Sequence, residues 1–386
     1  MLIALTAIWV ALELLTDGIF LTPRNLYNLS IQTSVGAILA CGMVFVIVAR
    51  QIDLSVGSLI AFTGVLTAFA QVNWFDGHPT ASWMFSILLG LVAGIAVGMF
   101  QGWWVAYRGL PALVVTLAGF LVYRGAAFLI AEGQTIAPLD ETYQRLGGGS
   151  AGSLGVTPSW LLGALGCAWL GWHVWSTRRE RGKYTDVPAA VWFDVAKVVL
   201  GAAAIIAFVW VMVSYPDRAK LDENGNGPGM GIGIPVMILI GVVIVLSFFA
   251  HRTRFGRYVF AYGGNPESAL LAGINTRWLL VKIFVMMGIL STVAAVITTA
   301  RLNAGANSIG QFAELYAIAA AVIGGTSLAG GVGSVPGAVV GALIIQSLEN
   351  GMVMLDVSSA MRQIIIGLVL MLASWFDVVY HKRYSK

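Results

Sequence analysis

The side chains of this chain that could do chemistry are few and widely spaced. Asp53 stands in "QIDLSVGS", with the hydroxyls of Ser55 and Ser58 close behind it and Gly57 allowing close backbone approach. An acid there has two readings. It caps the N-terminus of the next helix, its oxygens taking unpaired N–H groups, or it is a polar contact on a route through the protein. Arg124, in "LVVTLAGFLVYRGAAFLIAEG", lies about 18 Å along a helix counted from residue 112. It either reaches outward to Glu132 or an external carbonyl, or lines the external mouth of such a route. Glu349, Asn350 and Asp356 around "LENGMVMLDV", with Asn303 and Asn307, can offer hydrogen bonds to a polyol or to a partner protein.

No arrangement of these groups makes an enzyme. The chain has no G-x-x-x-x-G-K phosphate loop, no H-E-x-x-H and no G-x-S-x-G, and His78, His173, His251 and His381 are scattered. Cys41 and Cys167 sit in apolar runs and read as free buried thiols. The stretch "LDENGNG" lacks the ligand spacing of a calcium loop and reads as an external turn. No catalytic residue, metal or cofactor is expected, and any ATP hydrolysis belongs to another polypeptide.

The elements that carry these residues are set by composition. Of 386 residues 58% are hydrophobic and 10% charged, where a soluble domain has roughly 25% charged. This is an all-α polytopic membrane protein, a single transmembrane domain over 1–386. Apolar runs fall near 2–15, 33–49, 54–72, 82–104, 112–131, 160–175, 191–214, 234–250, 279–300, 315–330, 335–350 and 363–380, giving ten to twelve transmembrane helices. "MLIALTAIWVALELL" has no basic n-region and no small-residue cleavage site, so it reads as a first span. The interrupted segments are around "QIDLSVGS" and "GGTSLAGGVGS", and irregular backbone at membrane depth must be buried in protein or line a cavity. Residues 37–66 and 316–344 share a pattern, an Ala/Val/Ile-rich run, a Ser-Gly break and a second run. Paired broken segments in a transporter point to the substrate route, and the candidates along it are Asp53, Ser55, Ser58, Arg124, Thr326 and Ser327.

Orientation follows from the cations. The loops at 50–51, 105–110, 176–190 and 251–278 and the tail from 381 carry most of the Lys and Arg, among them Arg50, Arg108, Arg178, Lys183, Arg254 and Lys382. The other side has Arg24, Arg145, Arg218, Lys220, Arg301 and Arg362. The first set faces the cytoplasm. The cluster "QGWWVAYRG" fits an aromatic belt at the inner interface.

Within the loop 251–278 lies "FGRYVFAYGGNPESALLAGIN" (255–275). Pro266 suits the first position of a helix, Asn265 is a good N-cap, and Glu267 complements the dipole. Gly273 supplies the stop. A helix of about seven residues results, some 10 Å long. Leu270, Leu271 and Ile274, with Ala269 and Ala272, exceed what an exposed loop needs. The helix either packs back on its own membrane domain or docks in a groove on a cytoplasmic partner.

"IDLSVGS" (52–58), the loop 255–275 and "IAAAVIGGTSLAGGVGSVPGAVVGALI" (318–344) together resemble the permeases of bacterial monosaccharide ABC importers, in the same order and over nearly the whole chain. "GWWVAYRGLPALVVTLAGFLVYRG", "LENGMVMLDV" and the long insert between about 140 and 235 are most similar to the xylose-type members. The resemblance implies an inner-membrane subunit importing a monosaccharide, D-xylose first, from periplasm to cytoplasm by alternating access. It implies as partners a second copy, a cytoplasmic sugar-import ATPase and a periplasmic sugar-binding protein, and no nucleic acid. It also makes 251–278 the coupling loop to the ATPase, through Asn265, Pro266, Glu267, Ser268, Leu270, Leu271 and Gly273. The alternative is a stand-alone ion-coupled secondary transporter, which would want acid or His relays in mid-span, where this chain offers almost none.

Overall fold

A computed structural model describes residues 1–74, 81–181, 191–222 and 227–384. His78, Lys183, residues 223–226 of the weighed calcium-like stretch, and Lys386 lie outside them. The described residues are helical, with isolated β-bridges and no β-strand among them. In hydrocarbon every backbone N–H and C=O must be satisfied within the segment, which selects helices here. They are α1 (Leu2–Leu15), α2 (Pro23–Val48), α3 (Val56–Phe69, continued by a π turn to Trp74), α4 (Ser82–Arg108), α5 (Ala112–Ala131), the short α6 (Glu141–Gln144), α7 (Val156–Arg181), α8 (Val191–Ser214) and α9 (Ile234–Arg252). Then follow α10 (Arg254–Gly264), α11 (Pro266–Leu271), α12 (Thr276–Leu302), α13 (Ala313–Ile323), α14 (Val335–Met354) and α15 (Ser359–Tyr384).

Among the described residues eight helices are long and apolar enough to cross a membrane, namely α2, α3 with its π turn, α4, α5, α8, α9, α12 and α14. The 26-residue helices α7 and α15 and the shorter apolar α1 and α13 complete the set. The span expected at 315–330 is a half-helix of 11 residues followed by irregular chain, because Gly324 and Gly325 end it. The run expected to open at 33 opens at Pro23, where proline presets the first turn; the first turns of α2 are polar and escape a hydropathy reading.

The apolar window of α2 is 83% buried and those of α3 and α12 are 72% buried, whereas α8 is 11% and α4 22% buried. So α2, α3 and α12 form the centre, with α13 and α14 packed on α2, and α4, α5, α8 and α9 lie at the periphery. Lipid tails provide no hydrophobic drive between helices, so close contact has to come from small residues. Gly90, Gly94, Gly98 and Gly102 form one face of α4 against α12. A Cβ on Gly98 would lie 2.5 Å from the carbonyl oxygen of Phe284 and 2.7 Å from the Cα of Val285. Glycine is what lets the two backbones meet there. α1 is pinned to α14 by a hydrogen bond from Trp9 Nε1 to Ser347 Oγ at 2.9 Å.

The insert forms a side unit. α7 and α8 pair, held at their inner ends by Arg178–Asp194 at 3.3 Å, and α8 packs on α2 through Val209, Met212, Tyr27 and Ile31. At the end of the bundle where α12 finishes, Tyr143 of α6 bonds Thr299 of α12 through their hydroxyls at 2.6 Å, and Asp217 accepts from Ser150 Oγ at 2.8 Å and pairs with Lys220 at 3.2 Å. The loops there are thereby tied to α12 and to one another.

Candidate functional site

Three groups of residues stand out, from one end of the bundle to the other. At the first end α11 has the expected chemistry. The Asn265 side chain accepts from Ser268 N at 3.0 Å, Pro266 opens the helix, and Gly273, at φ +79, closes it as its N–H bonds the Leu270 carbonyl at 3.0 Å. Ala269 is buried and Ile274 half-buried, while Leu270 is 62% and Leu271 88% exposed. The helix uses one face to sit on its own domain and turns two leucines away from it.

α10, which precedes it, is an amphipathic helix that the sequence reading took as loop. Its N-cap Thr253 accepts from Gly256 N at 3.3 Å, and Gly256, Val259 and Gly263 face inward while Arg254 and Arg257 face out. Its signal, Phe255, Val259, Phe260 and Gly263 at helical spacing, was present but masked by the basic residues between. The C-terminal carbonyls of α10 receive Arg50: Nε donates to Gly263 O at 2.7 Å and Nη2 to Gly264 O at 2.8 Å. A cation there satisfies carbonyls the helix cannot. The loop 324–334 joins the same place, with Gly331 N donating to Val48 O at 2.9 Å. Thr326 and Ser327 are buried in this loop, Ser327 N bonding Val332 O at 3.0 Å. The end of α2, the end of α10 and the loop after α13 therefore form one joint next to α11.

The second group is a buried polar centre at the start of α3. Asp53 is 2% exposed, and its Oδ1 accepts from Ser55 N at 2.9 Å and Ser55 Oγ at 2.7 Å. It fixes the turn ahead of α3 and does not cap the helix's own N–H groups, since the N-cap is Ser55. Gln101 of α4 donates to Ser55 Oγ at 2.8 Å, and Thr116 of α5 donates to Ile52 O at 3.3 Å. Ser58 Oγ is buried without a partner. Arg124 points neither to Glu132 nor to the outer surface: Nη1 donates to the carbonyls of Asn307 and, at 2.9 Å, Ile309. Those carbonyls belong to the segment that dips inward between α12 and α13, and Phe312, at φ +62, turns it into α13.

The third group is a pair of cavities at the end of the bundle opposite α11. One, of about 450 Å³, lies between α2, α12, α13 and α14 and is lined by Gln32, Thr298, Arg301, Gln346, Glu349 and Asn350 over a floor of Ile60, Gly310 and Ala313. Gln346 Nε2 donates to Gln32 Oε1 at 3.2 Å across it. A second, of about 350 Å³, is lined by Asn28, Gln144, Ser150 and Asn303 and shares Arg301 with the first. Glu349 and Asn350 were singled out from sequence; Gln32, Thr298 and Gln346 were missed, although an amide in the middle of an apolar helix is the available signal. Asp53, Ser55, Ser58, Arg124, Thr326 and Ser327 do not line these two cavities.

Long apolar helices in a central and an outer ring, broken segments, and cavities at one end with a projecting helix at the other define a polytopic membrane protein. Residues 25–374 match the family described as branched-chain amino acid transport system / permease component, and the chain belongs to it. It is 41% identical to the xylose transport system permease protein of Haemophilus influenzae, over 99% of this chain and 96% of that one. It is 31% identical to the ribose import permease protein of Escherichia coli (97% and 92%) and 30% identical to the L-arabinose ABC transporter permease protein of Azospirillum brasilense (94% and 82%). No solved structure matches. The chain is a transport permease and not an enzyme.

Proposed function

We propose that this chain is the membrane subunit of a bacterial ATP-driven importer that carries a monosaccharide, D-xylose first, across the inner membrane from periplasm to cytoplasm by alternating access. It works as a pair with a second copy. A separate ATPase binds at the cytoplasmic face, and a sugar-loaded binding protein docks on the external face. The observation that carries the ATP-driven reading is α11, a capped helix whose Leu270 and Leu271 project away from their own domain. Two such leucines fit a hydrophobic groove on a partner. Movement imposed on α11 reaches α2 and the loop after α13 through Arg50 and Gly331.

Sugar as substrate class is supported by the relatives named for xylose, ribose and arabinose, with xylose at the highest identity of the three. A neutral polyol is held by groups that both donate and accept hydrogen bonds, and the two cavities carry six amide side chains, namely Asn28, Gln32, Gln144, Asn303, Gln346 and Asn350. The test is uptake of labelled D-xylose by cells lacking other pentose systems and expressing this chain with its ATPase and binding protein. Uptake is expected, with competition by unlabelled D-xylose and none by L-leucine. Uptake of leucine in place of a sugar would overturn the substrate class.

A further inference from the structure

The external chamber between α2, α12, α13 and α14 has the build of a binding site and not of a packing defect. Gln32 lies about 14 Å below the outer end of α2, and Gln346 about 12 Å below that of α14. Polar residues at such depth are unfavourable in hydrocarbon unless they face a partner or water. Gln32 and Gln346 hold one another at 3.2 Å, which leaves each amide with further donors and acceptors. Asn350, one turn outward from Gln346, is on the same wall, and its Oδ1 is buried with no hydrogen-bond partner. A buried unpaired amide oxygen is destabilising, and a hydroxyl donor arriving in the chamber would satisfy it.

The chamber wall carries one acid, Glu349, and one base, Arg301, which stands where the chamber meets the outer cavity, so the lining has no excess of either sign for a charged guest. The floor is aliphatic, from Ile60 and Ala313, and suits the C–H face of a sugar ring. A volume of about 450 Å³ falls within the usual range for small-molecule sites.

The geometry points to this chamber as the place where a monosaccharide rests inside the permease after leaving the binding protein, with Gln32, Gln346 and Asn350 contacting its hydroxyls and Arg301 marking the way in from the outer cavity. The assignment rests on the sugar-importer reading above and adds the residues that select the guest.

The experiment uses the complete complex with its ATPase and binding protein. Gln346→Leu and Gln32→Leu are expected to lower D-xylose uptake at subsaturating sugar by about tenfold each, the loss of one or two hydrogen bonds. Assembly with the ATPase, and its stimulation by the loaded binding protein, should persist and so exclude misfolding. Independently of transport, Asn350→Cys in a Cys167→Ser background should react with a small membrane-impermeant thiol reagent from the external side. Excess D-xylose supplied with the binding protein should slow that reaction, and L-leucine should not. If both leucine variants import at the unsubstituted rate, or D-xylose gives no protection, the chamber assignment is overturned while the importer reading stands. If the unsubstituted complex imports no monosaccharide, that reading fails and takes the assignment with it.

Discussion

Arg50, at the end of α2, donates a 2.7 Å hydrogen bond from Nε to the carbonyl oxygen of Gly263, three residues before α11 begins. A second, from Nη2 to Gly264 O at 2.8 Å, makes the contact two-pronged. The fork of a guanidinium can reach both carbonyls at once, and an ammonium cannot hold them in the same plane. The central helix α2 is thus fastened to the residues next to α11.

Arg50→Lys should therefore keep the positive charge and lose the coupling. Assembly and basal ATPase activity are expected to be unchanged, while sugar uptake per ATP hydrolysed falls. Equal stoichiometry in the two proteins would show that Arg50 only neutralises carbonyls.

Gly98→Val tests the contact between α4 and α12. Its Cβ would meet the Phe284 carbonyl at 2.5 Å, and backbone cannot move aside as a flexible side chain can. A loss of roughly 1–3 kcal/mol is expected, read as a lower thermal midpoint in detergent. Gly241→Val, at a position where a Cβ meets nothing within 4 Å, should have little effect.

Asp53 separates shape from charge. Asp53→Asn retains an oxygen to accept from Ser55 N and Oγ and should leave expression and uptake close to normal. Asp53→Leu leaves the Ser55 N–H buried and unpaired and should destabilise by about 1–3 kcal/mol. Loss of uptake in the Asn variant with normal thermal stability would assign the work to the carboxylate's charge.

Topology is checked by two cysteines in the Cys167→Ser background, Leu271→Cys and Gln134→Cys, both at exposed positions. An impermeant reagent added to intact spheroplasts should label residue 134 alone, and residue 271 only after the membrane is opened. The reverse pattern would invert the orientation drawn from the cations.

Much of this was legible in sequence wherever local chemistry decides the outcome. Asn265, Pro266 and Gly273 set the ends of α11 within a residue, because capping acts over one turn. The break at Gly324 and Gly325 was visible for the same reason. The first turns of α2 were not, since Asn28, Ser30 and Gln32 lower its hydropathy, Asn28 and Gln32 facing cavities and Ser30 bonding the Tyr27 carbonyl. The chamber depends on Gln32 and Gln346 meeting across 314 residues of chain, and no local pattern encodes that distance. Arg124 was recognised as needing a partner, but its partners are the backbone carbonyls of Asn307 and Ile309, which carry no sequence signature.

The central claim is that energy enters from a separate ATPase through α11. The direct measurement is D-xylose uptake into proteoliposomes holding the permease and its ATPase, with binding protein and sugar on the external face and ATP on the other, for the unsubstituted chain and for Leu271→Asp. The exposed leucine lies outside the hydrocarbon, so the variant should insert normally. The account predicts uptake that requires ATP, ignores ionophores and is lost in Leu271→Asp together with ATPase binding. Full uptake by Leu271→Asp, or uptake without the ATPase that follows an ion gradient, would contradict it.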